Sequence, residues 1–173
     1  MKEQSFVKVL GKAVVCMVVV ALAGYFLFNG FGSYSLEREG LEREFRSRAA
    51  EAGVKSGGEE TLILEEFGGS VNFLMTAEDG ERACGTYRRS LFSDKFRETA
   101  FYSGRNGVLG ADDFSYKVND GTTMYMLTCH FGEEPSIELS GGVTPVLSYK
   151  FVGICVMAMG VFGSRIFFAK KKY

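Results

Sequence analysis

His130 is the one histidine in the chain, and it stands beside Cys129. With Cys84 these residues form a partial ligand set for a soft divalent metal. A metal site needs three or four convergent donors, so the set is incomplete and no metal is expected. A lone histidine in a strand reads as structural. Cys84 and Cys129 are also the natural pair for a disulfide closing a 45-residue separation, if the chain folds in an oxidising compartment. The alternative is two unpaired, buried thiols on neighbouring strands. The other two cysteines, Cys16 and Cys155, lie in apolar runs, where a thiol behaves as a small apolar group.

Paired carboxylates suggest acid/base or calcium chemistry. Asp112 and Asp113 are adjacent, and in a strand neighbours point to opposite faces, so they make a poor dyad. Asp112, Asp113 and Asp120 lack the regular ligand order of a calcium loop. Nucleophile-elbow, zinc-protease, phosphate-loop and dinucleotide motifs are absent from the sequence. Gly68-Gly69-Ser70 and Gly141-Gly142 read as turns. No catalytic residues and no cofactor are assigned, and the chain is not expected to be an enzyme.

One segment stands out. Residues 82–105 carry Arg82, Arg88, Arg89, Lys95, Arg97 and Arg105 against Asp94 and Glu98, interleaved with Tyr87, Phe92, Phe96, Phe101 and Tyr102. A basic, aromatic patch suits an anionic ligand, and Tyr87, Arg88, Arg89, Lys95, Arg97 and Arg105 are its candidate binding residues. The competing explanation is that the aromatics are core and the arginines pair with the domain's own carboxylates.

These residues must be positioned by a chain of 173 residues with 46% apolar and 24% charged types, enough for one modest domain and accessories. The composition excludes collagen-like and disordered classes. The mean hydropathy of +0.04 averages two populations. No charged residue occurs between Lys12 and Glu37, and a second apolar run covers residues 146–169, interrupted by Lys150 and Arg165. About 20 apolar residues cross ~30 Å of hydrocarbon. The expected fold class is therefore an α+β membrane protein: two transmembrane helices flanking a small antiparallel β-rich extracytoplasmic domain with a juxtamembrane helix. Its parts are an N-terminus 1–12, a first transmembrane helix 13–34, a juxtamembrane helix 35–54, a β-domain 55–143, a second transmembrane helix 144–169 and a C-terminus 170–173. A cleavable signal peptide is the rival for the first run, because Ala21-Leu22-Ala23 before Gly24 fits a small-x-small site. The flanks hold Lys2, Lys8, Lys12, Lys150, Arg165, Lys170, Lys171 and Lys172 against Glu3. That bias expects both termini to be cytoplasmic in a plasma or inner membrane. Gly153, Gly160 and Ser164 are small residues suited to helix packing.

Within 35–53, Leu41, Phe45, Ala49 and Ala52 share one helical face, and Glu42/Arg46 and Glu44/Arg48 are i,i+4 pairs. The stripe is read as docking on the domain. From Thr61 onward the period shortens, giving strand candidates at 61–67, 70–76, 82–92, 96–103, 114–118, 122–131 and 137–139. Asn119-Asp120-Gly121 gives a strong tight-turn signal. These strands point to a small antiparallel sandwich or curled sheet.

The functional expectation is a non-enzymatic interaction or accessory subunit. Its partners would be the lipid bilayer and a membrane-protein partner or second copy through the helices; nucleic acid is disfavoured. The alternative is a sensor or binding module for an anionic ligand.

Overall fold

The computed structural model describes residues 2–29, 32–55, 60–104, 109, 112–145, 153–154 and 157–158. The chain divides into two compact units, Met1–Phe31 with Leu147–Tyr173, and Gly32–Val146.

In the first unit, helix α1 runs from Lys2 to Asn29. Val15, Met17 and Val19 are among its exposed apolar side chains. A Cβ placed on Gly24 would lie 3.8 Å from Ile154 Cδ1, so a second helical piece of the same unit touches this helix. The two-span membrane architecture, and the membrane localisation derived from it, do not hold. Among the described residues no helix is long and apolar enough to cross a membrane. The reason is length. The charges at Lys2, Glu3, Lys8 and Lys12 lie inside the first turns of α1, and the helix stops at Asn29 rather than reaching residue 34. The uncharged part, Ala13 to Asn29, is about 26 Å long at ~1.5 Å per residue, short of the ~30 Å core. The first residues of the expected second span, Thr144–Pro145, form a strand instead. Of the rest of that run, residues 146–152, 155–156 and 159–169 lie outside the described residues, as does the tail 170–173.

The second unit opens with an extended segment that adds a bridge to the domain. Ser35 N and Leu36 N donate to Phe96 O, and Phe96 N donates back to Leu36 O at 2.8 Å. One 3-10 turn (Arg38–Gly40) leads into helix α2 (Leu41–Glu51). Two antiparallel sheets follow. The first has the order β1 (Thr61–Phe67), β2 (Ser70–Thr76), β3 (Arg82–Arg89), β4 (Phe96–Ser103). The second joins β5 (Asp113–Asn119), β6 (Thr123–His130) and β7 (Ser136–Leu139), with β8 (Thr144–Pro145) also paired to β6. Short turns at Gly68-Gly69 and at Asp120-Gly121-Thr122 make the hairpins. Gly121 sits at φ +96°, a region that favours glycine.

The first sheet is covered on both faces. Leu41, Phe45 and Ala49 of α2 are fully buried against Val71, Phe73, Met75, Ala83 and Tyr87. On the opposite face Leu74 and Cys84 join Tyr116, Val118, Tyr125, Leu127, Cys129 and Ile137 of the second sheet. This accounts for β2, whose first six residues are all buried. Phe45 is the keystone of the helical face. It stacks on Phe73 at 5.1 Å between centroids and lies so close to Gly85 that a Cβ there would come within 3.0 Å of its ring. Glu42 pairs with Arg46 at 2.9 Å, whereas Arg48 turns away from Glu44 toward Glu51 and Glu98.

Phe45→Ala removes the ring that fills this contact, so it should cost about 3–5 kcal/mol, read as a lowered urea midpoint. A loss below ~1 kcal/mol would mean that α2 is not held through this face.

Candidate functional site

The faces where the two sheets meet are polar at one end. Asn72 is fully buried; its Nδ2 donates to Glu65 O and to Ser70 Oγ, each at 3.2 Å, and its Oδ1 accepts from Thr86 Oγ1 at 2.9 Å. The single hydroxyl proton of Thr86 is thus used on Asn72. At 2.8 Å, Tyr116 Oη must therefore be the donor to Thr86 Oγ1. Ser70 Oγ bonds Tyr125 Oη, which also donates to Phe67 O at 3.0 Å. Tyr116 reaches Cys129, and Cys129 is hydrogen-bonded to Cys84. A continuous polar seam therefore runs from the β1–β2 turn to the two thiols, crossing from one sheet to the other several times.

Both cysteines are buried, reduced thiols. They sit on β3 and β6, facing each other from different sheets rather than on neighbouring strands. The hydrogen bond to Cys129, reinforced by burial, pushes the Cys84 thiol well up. Its acceptor, Cys129, is held below the ordinary thiol value by that hydrogen bond, with burial opposing and Tyr116 reinforcing.

Asp120 clasps the polar end. Its Oδ1 accepts from Thr122 N and Oγ1 at 2.8 Å and from Thr123 N at 2.7 Å. Oδ2 accepts from Thr123 Oγ1 at 2.9 Å and from Gly69 N, across the sandwich, at 3.3 Å. Burial alone would raise this carboxyl; the hydrogen bonds from Thr123 and Thr122 outweigh it, and the group sits below the usual carboxylate range.

The basic segment does not form one open patch. Tyr87 is fully buried under α2, edge-on to Phe73 at 5.7 Å. Arg88 points inward and is 4% exposed, its guanidinium against Gly121 and 6.0 Å from the Tyr34 ring centre. Arg97 lies over the same ring at 4.9 Å. Burial, with Arg97 reinforcing it, lowers Arg88 from the ordinary arginine value, while Tyr34 and Asp120 oppose the shift. Arg89 pairs with Asp94, and Lys95 with Glu37. Arg105 lies outside the described residues. Arg88, Arg89, Lys95 and Arg97 are thus gathered at one end of the first sheet, in two different environments.

That end also carries a cleft. A hollow of about 320 Å³ is lined by Arg38, Glu66, Gly68, Gly69, Arg89 and Asp94 with Ser70, Val71 and Phe96. A second of about 480 Å³ shares Gly69, Arg89 and Asp94 and extends along Ser90 to Ser93. The ion pairs Arg38–Glu66 and Arg89–Asp94 stand in its walls. Leu91 and Phe92 are exposed at its lip, Phe92 at 61%.

The remaining candidates do not converge. His130 Nδ1 lies 2.7 Å from Asp113 Oδ1, and its Nε2 lies 3.8 Å from Glu138 Oε2 on the outer face of the second sheet. The group set at Nε2 is a carboxylate, whereas nucleophilic catalysis needs a hydroxyl or thiol there. Cys129 points to the opposite face. Asp112 faces Arg82 at 3.3 Å and is separated from Asp120 by the length of β5, about 23 Å at ~3.3 Å per residue. Among the described residues no group of three His, Cys, Asp or Glu is placed to hold a metal ion. Of the helix-packing residues, Gly153 would meet nothing among the described residues within 4 Å of an added Cβ. Gly160 and Ser164 lie outside the described residues.

No protein-family model, curated protein or solved structure matches the chain.

Sequence reasoning missed Asn72, Thr86, Tyr116 and Tyr125. Their alternation with apolar neighbours reads as a solvent face and is in fact the inter-sheet seam. Arg38 and Glu66 were missed as cleft residues because both are distant in sequence from residues 82–105.

A depressed carboxyl contributes stability that is present above its unfolded pKa of about 3.9 and lost as pH falls through its folded value. Between about pH 5 and pH 2 the urea midpoint of the native chain should therefore fall more steeply than that of Asp120→Asn. Parallel curves would show that Asp120 does not carry the acid sensitivity.

Proposed function

We propose that this protein is a non-enzymatic binding module that recognises an anionic group at the cleft between the β1–β2 turn and the β3–β4 loop. The observation that carries the reading is the placement of Arg38 and Arg89 in the walls of one glycine-floored hollow. Each guanidinium is oriented by an exposed carboxylate, Glu66 or Asp94. Exposed ion pairs contribute only ~0–1 kcal/mol, so exchanging either acid for a ligand carboxylate or phosphate costs little. The two planar forks then offer bidentate donors. Leu91 and Phe92 add apolar area at the lip. Arg88 is excluded as a ligand contact by its burial, so its reversal would read out stability rather than binding.

The exposed apolar side chains of α1 favour a second reading, an accessory subunit that buries this helix against a partner chain. A stoichiometric partner co-purifying with the full chain, and lost when Val15 and Met17 become serine, would support it.

For the primary reading, titration of the full chain with inorganic phosphate, followed by amide chemical shifts, should perturb Gly68, Gly69 and Arg89. The double variant Arg38→Gln, Arg89→Gln should bind at least about tenfold more weakly with its thermal midpoint retained. Shifts spread evenly over the surface, or undiminished in the double variant, would overturn it.

A further inference from the structure

We infer that Cys84 and Cys129 form a dithiol–disulfide couple that covalently joins the two sheets when the chain is exposed to a small-molecule disulfide. This inference is independent of the proposed function. It rests on geometry: the thiols are fully buried, on β3 of one sheet and β6 of the other, and belong to the same side-chain cluster between the sheets. The bond would therefore join strands that already face each other across one core. In the packed dithiol the surroundings also distinguish the two sulfurs. In the dithiol state the donors run one way along the seam. Cys84 donates to Cys129, Cys129 to Tyr116 Oη, and Tyr116 to Thr86. Cys84 is thus the donor to the Cys129 sulfur, and this bond holds the Cys129 thiol below the ordinary value.

The chemistry balances as two exchanges. One of the two thiolates, written for Cys129, attacks one sulfur of RSSR, forming a Cys129–S–S–R bond and releasing RS⁻. The Cys84 thiolate then attacks the Cys129 sulfur, forming the Cys84–Cys129 bond and releasing a second RS⁻. The two thiol protons pass to the departing thiolates. The protein loses two hydrogens and two electrons, and RSSR is reduced to two RSH. Oxidation removes the S–H donors but leaves Tyr116 still donating to Thr86, so the rest of the seam persists. Because both sulfurs are shielded, exchange proceeds while the sheets are not yet packed or are transiently parted.

The test is refolding of the full chain, with Cys16 and Cys155 replaced by alanine, in the presence of oxidised glutathione. The expected product has two hydrogens fewer by intact mass. It yields a Cys84–Cys129 cross-linked peptide on digestion and melts about 10 °C higher than the reduced form. Cys84→Ala and Cys129→Ala should each abolish the cross-link. Where either variant fails to fold, thiol labelling of the refolded parent in denaturant decides the matter. Two labelled thiols in a chain with native circular dichroism would overturn the inference. So would a cross-linked chain that melts lower than the dithiol, since the sandwich would then not accommodate the bond.

Discussion

The hydrogen-bonded seam between the two sheets is the constraint on which the rest of the domain depends. Leu74, Leu127 and Ile137 would pack equally well in several sheet-on-sheet offsets, because apolar contact is non-directional. Asn72, Thr86, Tyr116 and Asp120 would not. Each made hydrogen bond is worth only ~1 kcal/mol net, whereas each buried partner left unmade costs ~1–3 kcal/mol. The seam thus contributes little gross stability and penalises every wrong stacking. Asp120 acts in the same way, since it ties its own turn together and reaches Gly69 in the β1–β2 turn of the other sheet.

The same clasp explains why the candidate binding surface lies where it does. Gly69 is held by Asp120 from below and forms the floor of the cleft from above. Arg88 fills the space beneath the β5–β6 turn, and Arg89, one residue on, projects into the cleft with Asp94. A rigid interior at this end leaves the exposed pairs Arg38–Glu66 and Arg89–Asp94 as the adjustable part, in keeping with the general division between a fixed scaffold and loops that carry recognition.

Much of the domain was legible in the sequence because its signals are local. The strands at 61–67, 70–76 and 96–103 are bounded by turn residues, and Asn119-Asp120-Gly121 marks a reversal that few other tripeptides would serve. The stripe Leu41, Phe45, Ala49 located the buried face of α2. What was not legible depends on what lies opposite. An absence of charge between residues 13 and 36 suggested a span, but it says nothing of where the helix ends, and the helix ends at Asn29. Likewise Cys84 and Cys129 could be named as a pair from the sequence, yet their placement on facing sheets required the topology.

The basic segment shows why strand sequences mislead about surfaces. In a sheet with one wet face, alternate residues are exposed, and a run such as Tyr87-Arg88-Arg89 offers at least one face of cations to solvent. In this protein α2 covers one face of β3 and the second sheet covers the other. Position along the strand, not alternation, then decides exposure. Tyr87 and Arg88 are interior on opposite sides, and Arg89 is exposed because β3 ends there. Inside the sandwich the charge of Arg88 is favoured by the Tyr34 ring and the Asp120 carboxylate, against burial and the neighbouring Arg97. The segment's positive charge is therefore partitioned. One part holds the sandwich end together, and the part at the strand end, Arg89, is available to meet a ligand.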